Sequence, residues 1–359
     1  LARELALRDD CEISVMASNM HLDATRGGTI DEIRADGFSP IIAQMPVEFD
    51  GSAEAAAAAG ELQKSVAEIL SREMPDVVVV LGDRFEMLAI AAAATIMRVP
   101  IVHISGGEIT QGAFDDSFRH AITKLSALHL TATESYRRRV IQLGEDPSRV
   151  INCGALGVIN VQSEPPMTKS ELEENLQWQF GENAMLVTVH PETLGGVDVI
   201  TPTLEALSRF KESRLLVTYP NNDPEGQRII DAIEAYAAAE PSGRVKVVPS
   251  LGRKRYHSAL RCVKAVVGNS SSGIVEVPSA GIATVNIGNR QYGRIAAESV
   301  INCDAKVEDI VVAISRALTA DFKGVENPYY NPNTLKVMSN AIAETSLEIL
   351  RSPKLFYDL

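Results

Sequence analysis

Acidic side chains recur directly after apolar runs in the first half of the chain, and phosphate-suited side chains do so in the second. Val77–Leu81 runs into Gly82-Asp83-Arg84. Ile101–Ile104 runs into Ser105-Gly106-Gly107-Glu108, followed by Asp115-Asp116-Ser117-Phe118-Arg119-His120. Further on, Leu186–Val189 leads to His190-Pro191, Leu215–Thr218 to Tyr219-Pro220-Asn221, and Val285–Ile287 to Gly288-Asn289-Arg290. Ala265–Gly268 leads to Asn269-Ser270-Ser271-Ser272-Gly273 with Glu276 beyond. Paired carboxylates divide into an acid and a base when their surroundings push their pKa values apart. Hydroxyls, backbone N–H groups and a guanidinium suit an anion whose charge grows as it departs. Together they fit acid–base work on a sugar that carries a phosphate leaving group. Singly, each has a plainer use: Asp83 or Ser270 as a helix cap, the Asp115–Asp116 pair as dipole partners, His190 as a buried histidine. The repetition at strand end after strand end favours a cleft.

Such residues need a frame. Val77–Leu81 is a continuous β-branched run, the pattern of a strand buried on both faces of a parallel sheet. Further strands are expected at Glu12–Ala17, Pro100–Ile104, Leu128–Ala132, Val150–Cys153, Leu186–Val189, Arg214–Thr218, Val245–Val248, Ala265–Val267 and Thr284–Ile287. Helical stretches separate them: Ser52–Arg72, Phe85–Met97, Asp115–Ser126, a helix opened by Thr133, Thr201–Phe210 and Pro224–Ala238. Thr29-x-x-Glu32 and Thr168-x-x-Glu171 read as capping boxes. The expected class is α/β, with two Rossmann-like doubly wound domains and a central cleft. Residues 1–160 form the first domain and 161–334 the second. Gly154–Met167 is the expected linker, and the Asn333–Leu350 helix brings 335–359 back onto the first domain. In such sheets a ligand sits beyond the carboxyl ends of the strands.

The 359 residues exceed one ordinary core. A net charge of -13 disfavours nucleic acid and anionic membrane as general partners. The uncharged run Met87–Met97 is too short to span a bilayer, and no secretory signal is visible. Four scattered cysteines and six dispersed histidines show no metal-ligand spacing. A cytoplasmic protein without metal or cofactor is expected. Leu1–Arg8 reads as the inside of a helix, so a first βα unit of about 20–25 residues is expected upstream of Leu1.

The ordered set resembles the hydrolysing UDP-N-acetylglucosamine 2-epimerases of sialic acid biosynthesis. It comprises Gly82-Asp-Arg-Phe-Glu86, His103-Ile-Ser-Gly-Gly-Glu108, Asp115-Asp-Ser-Phe-Arg-His120, His190-Pro191, Tyr219-Pro-Asn221 with Asp223, Gly268-Asn-Ser-Ser-Ser-Gly273 with Glu276, and Asn286-Ile-Gly-Asn-Arg-Gln291 with Gly293-Arg294. The resemblance implies a GT-B-like fold that releases UDP and N-acetylmannosamine from UDP-N-acetylglucosamine, in a homodimer or homotetramer. By motif position, Asp83, Glu108 and Asp116 are candidate acid–base groups, with Asp115 beside them. Arg119 and His120 are implied to order the carboxylates or the sugar. His190, Ser270, Ser271 and Glu276 are implied to hold UDP, with the serines and a helix N-terminus on the diphosphate. Arg84, Asn221 and Arg290 are implied phosphate or pocket contacts. Ser105 stands where several relatives carry Glu, and the smaller group suits a bulkier UDP-2,4-diacetamido-2,4,6-trideoxy sugar as the alternative substrate. A GT-B glycosyltransferase and a non-catalytic UDP-sugar sensor are the alternatives of another class.

Overall fold

The computed structural model describes residues 1–23, 28–46, 51–163 and 165–359. Twelve strands are present among them, each paired in parallel. In the first half, β1 (Met16–Ala17) pairs with β2 (Ile41–Ile42) as a separate ribbon. β3 (Val78–Leu81), β4 (Ile101–Ile104), β5 (Leu128–Thr131) and β6 (Val150–Asn152) form a sheet in that order. The outer edge of β3 is unpaired among the described residues, and Val79 and Leu81 are exposed there. Helix Ser52–Glu73 turns Ala58, Leu62, Val66 and Ile69 inward at three- and four-residue spacing. That face packs on helix Phe85–Ile96, whose alanines allow close approach.

The second half holds β7 (Met185–Thr188), β8 (Leu215–Thr218), β9 (Val245–Val248), β10 (Ala265–Gly268), β11 (Ala283–Ile287) and β12 (Val300–Cys303). Their order is β12-β11-β10-β7-β8-β9. The chain builds outward from β7 through β9, then crosses back and builds the other way from β10. The strand order therefore reverses between β7 and β10, and a crevice opens beyond their carboxyl ends. Gly268 closes β10 there with φ +140 against the Thr188 carbonyl, where any Cβ would collide. A side chain at this position would push the two loops apart.

Beyond residue 333 the chain lies on the first sheet: Met338 and Leu350 share a core with Val102, Ile104, Leu128 and Leu130. Three local readings change. The Gly154–Met167 stretch, outside Glu164, which is not among the described residues, carries a helix over Leu156–Ser163 with Val158, Ile159 and Val161 buried. Its Gly- and Pro-rich flanks hide that apolar face in the sequence. The Thr29 capping box does not form, because Glu32 instead accepts from the Arg253 N–H at 3.0 Å. The terminal helix breaks into Thr334–Glu344 and Leu347–Arg351, the second capped by Ser346. The Thr168 box forms with both reciprocal bonds. No described helix is long and apolar enough to cross a membrane.

Candidate active site

The acidic wall rises from three loops of the first half. Gly82, at φ +85, turns the chain out of β3 and delivers Asp83. His103 on β4 braces this turn. Its Nε2 lies 2.8 Å from the Gly82 carbonyl and its Nδ1 3.2 Å from Thr123 Oγ1. Burial pushes the imidazole down to about 4, so it is neutral and carries its proton on Nε2. After β4, Ser105 (φ +70) and Gly107 (φ +80) fold the loop back and bury Glu108. Helix Asp115–Leu125 presents Asp115, Asp116, Arg119 and His120 from its first turns.

Arg119 is fully buried at the centre of this wall. Its guanidinium donates to Asp83, to Asp116 Oδ1 (2.9 Å), to the Glu108 carbonyl (3.1 Å) and to Thr110 Oγ1 (2.8 Å). Asp116 also accepts from the Thr110 N–H at 2.6 Å, and His120 Nε2 stands 3.6 Å from its other oxygen. Burial lowers the His120 imidazole, with Asp116 opposing. Glu108 is paired with Arg294. Burial raises its carboxyl despite Arg294 and Arg119. For Asp83 burial also pushes upward, but Arg119, Arg294 and Arg290 outweigh it and hold the carboxyl below its ordinary value. Asp115 differs from all three. It is buried and makes no hydrogen bond or close ion pair among the described residues. Burial, then Asp83 and Asp223, push it up to about 6 against Arg84 and Arg290.

The opposite wall stands at the β7–β10 crevice. Asn269 does not cap a helix. Its side chain takes the His190 N–H at 2.7 Å and gives to the His190 carbonyl at 2.9 Å, tying the two strand-end loops together. The Asn221 N–H donates to His190 Nδ1 at 3.1 Å. Burial and Arg290 push His190 down to about 3, so the ring is neutral and its proton sits on Nε2 as a donor. Ser270 makes no cap bond, and its Oγ lies 3.1 Å from Ser272 Oγ. The helix that Ser271 opens ends at Val275, only five residues long. The expected dipole contribution is therefore small, and hydroxyls and backbone N–H groups remain as the local donors. Glu276 faces His257 Nε2 at 3.3 Å, and a Cβ on Gly157 would sit 2.8 Å from its Oε1.

Arg290 lies between the two walls. Its Nη1 donates to the Asn269 carbonyl at 3.2 Å, while its Nε has no partner. Burial lowers its pKa, and Asp223, Asp115 and Asp83 oppose that. Arg84, expected on a phosphate, is already engaged: it donates to Asp223 at 2.8 Å and to Glu86 at 3.1 Å. It bridges the halves instead. Gln111 N–H to the Tyr292 carbonyl (3.1 Å) and Phe114 N–H to Thr193 Oγ1 (3.0 Å) do the same. At Gly112 a Cβ would fall 2.7 Å from the Asn289 carbonyl, so the loop fits there only as glycine.

The carboxylates thus gather around Arg119 and Arg294, and His190, Asn221 and Ser270 gather around Asn269. Arg290 joins the two groups. Sequence reasoning gave no site role to Arg294, Asp223, Asn269, Glu86 or His103. All five lie inside the quoted motifs, but only Asn269 stands directly after a strand, which was the available signal for it.

Two all-parallel units with a crevice at the strand reversal define an α/β protein of GT-B-like fold. Residues 3–343 match the family model described as UDP-N-acetylglucosamine 2-epimerase, and the chain belongs to that family. It is 33% identical over 328 residues to the Campylobacter jejuni GDP/UDP-N,N'-diacetylbacillosamine 2-epimerase (hydrolyzing), covering 90% of this chain and 84% of the relative. It is 34% identical over 361 residues to the Escherichia coli polysialic acid biosynthesis protein P7, covering 98% and 91%. The fold is also that of the Neisseria meningitidis UDP-GlcNAc 2-epimerase solved with UDP-GlcNAc, at TM-score 0.77 and 14% identity over 96% of this chain and 95% of that one.

Proposed function

We propose that this chain is a hydrolysing 2-epimerase that converts UDP-N-acetylglucosamine to UDP and N-acetylmannosamine. A carboxylate takes the C2 proton as the C1–O bond to UDP breaks, leaving a C1=C2 double bond in a 2-acetamidoglucal. Water then adds, with hydroxyl to C1 and a proton to the opposite face of C2. The observation that carries this reading is Asp115, a buried carboxyl poised at about 6, unpartnered, and facing Arg290 across the cleft. A group with its pKa near working pH suits proton transfer to and from carbon. Asp83, Glu108 and Asp116, held by Arg119 and Arg294, shape the field around it, and His120 closes the sugar end.

On the UDP side, Arg290 and the Ser270 and Ser271 hydroxyls take the diphosphate, and His190 donates from Nε2. Glu276 takes the ribose hydroxyls. Asn221 fixes the His190 tautomer, and Arg84 secures the closed cleft through Asp223. The Campylobacter relative supports a second substrate reading, a UDP-2,4-diacetamido-2,4,6-trideoxy sugar, with Ser105 giving the room. Parallel incubations with both UDP sugars, followed by NMR of the free sugar, test the proposal. UDP with a 2-epimeric free sugar is expected from one of them. Turnover that needs a sugar acceptor, or UDP binding without turnover of either, contradicts it.

A further inference from the structure

Arg294 reaches Glu108 from the other half of the molecule, so whatever fixes the next residue sets that pair. Two tyrosines do so. Tyr136, on helix Glu134–Gln142, and Tyr329, in the turn before helix Thr334–Glu344, are completely buried with hydroxyls 2.7 Å apart. Tyr136 accepts from the Ile295 N–H at 3.0 Å, and Tyr329 donates to the Ile295 carbonyl at 2.8 Å. Each phenol has one proton. Tyr329 spends its proton on the carbonyl, so Tyr136 must donate to Tyr329. The bonds close into a ring: Ile295 N–H to Tyr136, Tyr136 to Tyr329, Tyr329 to Ile295 C=O. Both backbone groups of one residue are thereby fixed.

The same helix holds the other member of the pair. Gly107 lies so close to the Tyr136 carbonyl that a Cβ would collide, and Arg139 donates to the Gly107 carbonyl. Glu108 is the next residue. We propose that Tyr136 and Tyr329 are positioning residues that set Arg294 on Glu108 across the boundary between the halves. The inference rests on the cleft assignment above for its bearing on turnover. Arg294 and Arg119 favour the charged form of Glu108, Asp83 disfavours it, and both phenols lie within its field. Loosening Arg294 therefore moves the Glu108 carboxyl upward.

Tyr136→Phe and Tyr329→Phe keep the rings and remove one hydroxyl each. The first measurement is a carboxyl carbon-13 NMR titration of the full chain labelled at glutamate, with the Glu108 signal assigned by its loss in Glu108→Gln. Both variants are expected to titrate Glu108 at higher pH than the parent. They should bind UDP as the parent does and lose about tenfold in kcat, the scale of a small misplacement of reacting groups. A variant that does not fold is replaced by Arg139→Gln, which frees Gly107 and moves the titration the same way. Folded variants with the parental Glu108 titration overturn the inference, whatever their activity. Failure of the parent to turn over either UDP sugar, with the titration shift present, overturns the functional reading and leaves the positioning role standing.

Discussion

Two arginines, Arg119 fully buried and Arg290 half-buried, face the same cleft with opposite accounts of their hydrogen bonds. Arg119, in the first half, meets two carboxylates, one carbonyl and one hydroxyl. Arg290, in the second, has one backbone carbonyl and an Nε without a partner. A buried cation is costly unless it is paired and hydrogen-bonded. The saturated one is part of the architecture and shapes the acids around it. The unsaturated one is incomplete until an anion arrives. The ligand-directed charge therefore stands on the second half, while the acids are ordered from both halves, by Arg119 beside them and by Arg294 from across the boundary.

Substitutions sharpen this contrast. Asp115→Asn removes the one acid of the first-half wall that no arginine pairs with, and kcat is expected to fall at least ~10²-fold, as for a lost general acid or base. UDP binding measured by calorimetry should persist. Arg119→Met removes the buried cation that Asp83 and Asp116 share and should cost about 3 kcal/mol of unfolding free energy in a urea titration. Arg290→Met should do the reverse. Thermal stability holds or rises, while UDP affinity drops by roughly 30-fold, the worth of a charge-assisted hydrogen bond of about 2 kcal/mol. If both substitutions lower stability equally, the distinction between the two sites is wrong. The mildest effect is expected away from the cleft: Thr168→Ala removes a formed capping box and should cost about 1 kcal/mol in the same titration.

Asp115 also makes a pH prediction with a definite sign. Its folded pKa, about 6, lies above the ordinary aspartate value of 3.8. The folded state binds this proton more tightly, so its contribution is fully present below pH 3.8 and is lost as pH rises through 6. Asp115→Asn should therefore be more stable than the parent near pH 7, by up to roughly 3 kcal/mol. The gap should close as pH falls towards 4. A gap that is constant with pH would show that Asp115 is not held protonated by its surroundings.

Much of the frame was legible in the sequence, because strands buried on both faces read as continuous β-branched runs and their carboxyl ends as polar residues. Val78–Leu81 and Met185–Thr188 were found that way. Val300–Cys303, short and interrupted by Asn302, was not, nor was helix Val307–Thr319 after it. The site was legible as a set of residues and illegible as a set of pairs. Asp83 and Arg290 stand out by type and place. That Arg84 belongs to Asp223, 139 positions away, is decided only when the halves close. Asn269 illustrates the same limit: its sequence position suits a cap, yet its side chain is taken by His190, which the strand reversal brings alongside.

The division of labour between an acid half and an anion half is tested most directly by the fate of hydrogen at C2. Turnover of the preferred UDP sugar in D2O should give a free 2-epimeric sugar carrying deuterium at C2, and Asp115→Asn should suppress that exchange while UDP still binds. Free UDP accompanied by a sugar with its original hydrogen and configuration at C2 would contradict the assignment, because the first half would then have no proton to move.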